Sequence, residues 1–193
     1  MKNSISFLPL LIMTVFALSS IPFQSHAQSK NSQSKSKLIS SKNTENLPPS
    51  AVDYDEFMRL SAEIQPYRQK RMVNLKTFKK LAEKDGVLIL DTRSKYAYDK
   101  KHLKGAVHLN FSDFTEEKLA KIIPSKETTV LIYCNNNFRN DPENFAVKSM
   151  SLALNIPTFI NLYGYGYRNI YELGNLIKIE HPDLEFEGNS VID

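Results

Sequence analysis

The chain has 193 residues, enough for one domain and additional segments, with 25 basic and 21 acidic side chains, one cysteine and no tryptophan. A single cysteine excludes an internal disulfide framework, and no cysteine or histidine cluster has the spacing of a zinc or haem site. The formal +4 resides in Lys2 and in residues 28–50, which hold four lysines and one glutamate. Residues 51–193 carry 20 basic and 20 acidic side chains, so the folded part is neutral and offers no basic face for nucleic acid.

Residues 1–27 read as an export signal. Lys2 supplies the positive start, "FLPLLIMTVFALSSI" the apolar centre, and Ser25 and Ala27 the small residues before a cleavage point at Gln28. The alternative is a retained membrane anchor, but the apolar run is short of the about 20 residues a span needs and no stop-transfer pattern follows. The expectation is an exported protein of the bacterial periplasm, without stable membrane insertion once the signal is removed. Residues 28–50, rich in Ser, Asn, Lys and Gln, bury too little apolar surface to offset ordering entropy and read as a flexible linker.

Residues 51–73 read as an N-terminal helical extension. Phe57, Leu60 and Ile64 share a helical face, and Pro66 limits the helix. From residue 74 to 193 a second pattern begins. Asn74 caps a helix with Leu75, Phe78 and Leu81 on one face and Gly86 as its stop. "VLILD" (87–91) is a continuous apolar run typical of a doubly buried strand. A short helix and turn, "SKYAYDKKHLKG", leads to a short strand at 106–110. Ser112 or Asp113 with Glu116 suggests a capping box for the helix "SDFTEEKLAKII". "TVLIY" (129–133) is another buried strand, "DPENFAVKSMSLALN" a helix capped by Asp141 with Pro142 at its first position. "TFINL" (158–162) reads as a strand and "YGYRNIYELGNL" as a loop and final short helix. The alternation predicts an α/β fold: a central, mostly parallel sheet of about five short strands, helices on both faces, and the N-terminal helix in addition.

The lone thiol, Cys134, falls at the end of the 129–133 strand, where α/β folds place their ligands. A thiol reacts as thiolate, and amides at a following helix start, loop N–H groups and Arg139 would all favour that form. A loop curling around an anion needs residues that tolerate positive φ, and Asn135, Asn136 and Asn137 suit it by permitting the curl and donating side-chain amides. The alternative is three ordinary turn residues beside a cysteine that merely fills the core.

The segment "VLILDTRSKYAYDKKHLKGAVHLNF", with its Asp-x-Arg and His-Leu-x-Gly-Ala, resembles the first half of a rhodanese (sulfurtransferase) domain. "VLIYC" is similar to that family's strand into the catalytic cysteine, and "FINLYGYGYRNIYELG" to its closing segment; together they span residues 74–177. The likeness is greatest to exported single-domain members with a Cys-Asn-Asn-Asn-Phe loop.

The resemblance implies the rhodanese-like α/β fold, Cys134 as nucleophile, and Asn135, Asn136, Asn137 and Phe138 as a substrate-binding loop ending in Arg139. Backbone N–H groups of residues 135–139 would form the anion cradle, with Arg139 stabilising a persulfide. It further implies a small-molecule sulfur donor such as thiosulfate, a thiol or cyanide acceptor, no cofactor and no metal. Asp91 and Arg93 match the Asp-x-Arg and are expected to be structural, as is His102 at a turn. Many active members have glycine where this chain has Asn137. The competing function is a rhodanese-like module used for binding or redox sensing without catalysis. A phosphatase or arsenate reductase needs five residues between Cys and Arg, and here four intervene. The tyrosines of "YGYGYRN" could serve a carbohydrate or lipid binder, although tyrosines near a glycine-rich turn more often pack locally.

Overall fold

A computed structural model describes residues 50–191; the export signal expected at 1–27 and nearly all of the 28–50 linker lie outside the described residues. Asp53 caps α1 (Tyr54–Gln69) by accepting the Glu56 amide at 2.8 Å. Pro66 lies inside this helix and does not end it. β1 (Met72–Val73) follows, and Asn74 caps α2 (Leu75–Ala82) at the Thr77 amide. Gly86, at φ 73°, turns the chain into β2 (Val87–Asp91). Ser94 caps α3 (Lys95–Lys100), and β3 (His102–Leu103) and β4 (Val107–His108) come next.

The capping residue of α4 (Glu116–Ile122) is Thr115, whose hydroxyl takes the Lys118 amide. Ser112 and Asp113, expected to open this helix, belong to a separate 3-10 turn capped by Asn110. β5 (Thr129–Tyr133) runs into Cys134 and a 3-10 turn at Asn135–Asn137, then β6 (Phe138–Arg139).

Three expected elements change. The 141–155 segment holds only one turn at its start, where Asp141 accepts the Asn144 and Phe145 amides, and then a 3-10 turn at Met150–Leu152. Residues 158–162 are helical, within α5 (Asn155–Gly164), with Pro157 in the first turn where a missing N–H costs nothing. A five-residue apolar run cannot by itself distinguish a buried helix from a strand. The third is β7 (Ile170–Leu173), a strand where a helix was expected. β8 (Ile177–Lys178) and β9 (Phe186–Glu187) complete the order.

The central sheet is five-stranded and wholly parallel, in the order β1-β7-β5-β2-β4. β5 lies at its centre, and its alternation divides the core. Val130 and Ile132 face one side with Leu90, Phe159, Leu162 and Ile170, under α1, α4 and α5. Leu131 and Tyr133 face the other with Phe78, Phe138, Phe145 and Leu173. The result is the α/β fold with a central parallel sheet covered on both faces. No helix among the described residues is long and apolar enough to cross a membrane.

The N-terminal segment is built into this core. Ile64 of α1 is 1% exposed within the first cluster, Tyr67 meets the Phe159 ring edge-on, and β1 pairs with β7. Ile64→Ala should therefore lower the unfolding free energy of the whole domain by about 2–5 kcal/mol in one transition. Urea denaturation followed by circular dichroism checks this; an unchanged midpoint would mean that α1 is a detachable appendage.

Candidate active site

Three parallel strands, β2, β5 and β4, end on one rim, and the segments leaving them enclose a cavity of ≈360 Å³. Cys134, Asn135 and Asn136 line it from the β5 side, Thr92 and Arg93 from β2, Asn110 from beyond β4, and Lys148 and Leu154 from the chain before α5. The thiol is 2% exposed. The backbone amides of Asn155, Asn136 and Leu154 act on its sulfur in favour of the thiolate. Two of those amides are the free donors at the start of α5, whose dipole adds partial positive charge there. The helix start beside the thiol is thus that of α5 and not one at Pro142.

The asparagines donate their side-chain amides as expected but do not curl through positive φ. Among non-glycine described residues only Asn140 has positive φ, at 77°. Asn135, Asn136 and Asn137 curl instead as a 3-10 turn and use their side chains as ties. Asn137 is 7% exposed and its carboxamide is fully engaged. Its Oδ1 accepts the Cys134 amide at 2.8 Å and Asn155 Nδ2 at 3.1 Å, while Nδ2 donates to the carbonyls of Leu173 at 2.6 Å and Asn175 at 3.2 Å. Asn135 donates to the Ala146 carbonyl at 2.9 Å. Asn136 grips Lys148 twice, donating to its carbonyl at 2.7 Å and accepting its amide at 3.0 Å. These bonds hold the 144–149 backbone along the loop, which is why it does not continue as a helix.

Phe138 is fully buried, edge-on to Tyr133 and against Phe145; it anchors the loop in the core and does not line the cavity. Arg139 lies elsewhere again. It is exposed on β6, opposite Lys178 of β8, and lines a separate cavity with Asn74, Leu176 and His181.

The cation that does approach the loop is Arg93, whose side chain is 2% exposed. Its Nε and Nη2 hold the Asp91 carboxylate at 3.0 and 2.7 Å, Nη2 also reaches the Lys101 carbonyl, and Nη1 donates to Asn135 Oδ1 and the Asn144 carbonyl. Burial pulls the guanidinium pKa down, but bonding and attraction to Asp91, with a smaller contribution from Tyr133, outweigh it and leave the pKa raised. Tyr133 donates to Asp91 and accepts the Leu103 amide; burial and the neighbouring carboxylate push its pKa well up, so it remains a neutral donor. His102 is 7% exposed, stacked on Tyr98, with Nδ1–H donating to the Tyr98 carbonyl at 2.7 Å; it does not line the thiol cavity. Among the described residues, no three His, Cys, Asp or Glu side chains converge as metal ligands would.

Sequence reading missed Glu172, Asn155 and Lys148. Glu172, in β7, is 4% exposed and bound by Arg68 of α1. A carboxylate inside the apolar stretch "NIYELGNL" is the signal that could have drawn attention to it.

This geometry defines a class: an α/β domain with a cysteine at the end of its central parallel strand, on an amide-lined loop above a small polar cavity. The model of the rhodanese-like domain matches residues 74–174, over half of the chain, and the protein belongs to that family. The tRNA uridine(34) hydroxylase of Cytophaga hutchinsonii is 30% identical over 121 residues, 60% of this chain and 34% of that protein. The chain thus spans about a third of that curated relative. Among solved structures, the BH2092 protein of Bacillus halodurans matches with TM-score 0.47 and 16% identity, covering 72% of this chain and 88% of the other. The rhodanese-like domain of the Anabaena sp. Alr3790 protein matches with TM-score 0.44 and 20% identity over 62% and 80%.

Opposing influences act on Cys134. Burial, the largest, pushes its pKa up; the amides of Asn155, Asn136 and Leu154 pull it down, the negative charge of Glu172 raises it, and the balance is upward. Iodoacetamide alkylation of Cys134 followed against pH should have its midpoint above the about 8.5 of a free thiol, and a midpoint below about 7 would overturn this balance. The sign for stability follows: the contribution is full below the ordinary thiol pKa and is lost as pH rises through the folded value.

Because the Asn137 backbone does not need positive φ, glycine there brings no benefit and removes four bonds. Asn137→Gly should cost at least about 1–3 kcal/mol in chemical denaturation, since buried partners are left unsatisfied.

Proposed function

We propose that the protein is a sulfurtransferase that carries a sulfane sulfur as a persulfide on Cys134. The observation that supports it most is the placement of the cysteine: at the end of β5, beside the start of α5 and lining the ≈360 Å³ cavity. With thiosulfate as donor, the Cys134 thiolate attacks the outer sulfur, the donor S–S bond breaks, and sulfite leaves with the electron pair. Cyanide or a thiolate then attacks the outer sulfur of the persulfide, giving thiocyanate or a new persulfide and restoring the Cys134 thiolate. The intermediate moves negative charge outward by one S–S bond, about 2.05 Å, towards the cavity and away from the apolar core.

In this reading the loop residues Asn135 and Asn136 shape the cavity, and Asn137 and Phe138 position the cysteine. Asp91, Arg93 and His102 support neighbouring turns, and the exposed Lys148 is the cation available to an anionic donor. Arg139, outside the cavity, has no direct part. Export through residues 1–27 belongs to the same proposal and rests on the sequence pattern alone.

A second reading, a binding or redox-sensing module without turnover, is favoured by one observation: burial holds Cys134 towards the protonated form. One experiment separates the two. Incubation with thiosulfate, mercaptopyruvate or polysulfide should add one sulfur to Cys134 by intact mass, and cyanide should remove it. Cys134→Ser should abolish the adduct, and Arg139→Ala should change the loading rate by less than about twofold, as an exposed charge outside the cavity would. No adduct with any of the three donors rejects the enzyme reading.

A further inference from the structure

Glu172 faces the end of β5, in register with Ile132. A carboxylate at this depth is costly unless paired, and an apolar residue would satisfy the strand at least as well. Its partner is Arg68, whose Nε and Nη2 hold the two carboxylate oxygens at 2.6 and 2.5 Å. From Glu172 the bonding continues inward. Asn155 Nδ2 donates to Glu172 Oε1 at 3.3 Å and to Asn137 Oδ1 at 3.1 Å, and that oxygen accepts the Cys134 amide at 2.8 Å. The backbone amide of the same Asn155 acts on the sulfur in favour of the thiolate. An unbroken chain of five residues thus joins a partly exposed arginine on α1 to the reactive cysteine. Arg68 lies before residue 74, outside the segment that the family model matches.

We propose that Arg68 and Glu172 are positioning residues that tune Cys134: Arg68 cancels a buried negative charge that would otherwise oppose formation of the thiolate. α1 is on this account part of the control of the active site as well as of the core. The charged residues that line the cavity with Cys134 are cationic: Arg93, occupied by Asp91, and Lys148. Glu172 lies outside that lining and reaches Cys134 through Asn155 and Asn137, so its charge opposes the thiolate in addition to the larger effect of burial. The inference rests on Cys134 as a nucleophile, not on sulfur transfer itself.

The test is the rate of Cys134 alkylation by iodoacetamide in the full chain, from about pH 6 to about pH 10. Glu172→Gln keeps an acceptor for Asn155 and removes the charge; it should raise the rate at neutral pH by about threefold or more. Arg68→Gln leaves the carboxylate uncompensated and should lower the rate by a similar factor. The double variant should return towards the wild-type profile. A purely structural pair would move both single variants in the same direction, and that result, or no change in either, overturns the proposal. If Arg68→Gln does not fold, Arg68→Lys and Glu172→Gln carry the test: the first should retain the wild-type profile and the second accelerate, and any other pattern overturns the proposal. Alkylation needs no sulfur donor, so a wild-type protein that fails to take sulfur leaves this test intact.

Discussion

The carboxamide of Asn137 is the interaction on which the site depends. It joins three pieces of chain beyond what sheet pairing alone provides: the end of β5, the start of α5, and the end of β7 with Asn175 after it. Each contributes something to the cysteine. β5 delivers it, α5 supplies two of the amides at its sulfur, and β7 carries Glu172. A buried primary amide offers two donors and two acceptor lone pairs, and here all four positions are used within the protein. The loop is therefore fixed by side-chain bonding rather than by glycine's backbone freedom.

Fixing the loop in this way places the thiol in a dry environment. Amides and the α5 dipole favour the thiolate, while desolvation and Glu172 oppose it, and burial prevails. Under the proposed function, the charge of an outer sulfur would lie one bond further towards the cavity, where burial opposes it less.

The cations are distributed by their partners. Arg93 is spent on Asp91 and on the carbonyls of Lys101 and Asn144, so it braces the rim instead of presenting a free charge to the cavity. Arg68 is spent on Glu172. Arg139 follows β6 away from the thiol because that strand pairs with β8 and buries Phe138 beside it. Lys148 reaches the cavity because Asn136 clasps its backbone at both polar groups.

Much of the architecture was legible in the residues. The apolar runs at 87–91 and 129–133 became the paired central strands β2 and β5, and Asn74 marked a helix start by its capping chemistry. Asp91 and Arg93, the pair matched to the family's Asp-x-Arg, form a buried ion pair. The later elements were not legible in this way: "TFINL" and "YELG" carry apolar side chains that suit either a strand or a helix. Packing decided them, as Ile170 and Glu172 paired with β5 and Phe159 and Leu162 turned inward under α1. The role of the three asparagines was likewise settled by what lay within reach of their amides. Local sequence thus determined β2, β5, the Asn74 cap and the position of the thiol, which depend on neighbours in the chain. The charge state of that thiol, the destination of Arg139 and the link to Arg68 depend on residues far apart in sequence, and only the tertiary structure brought them together.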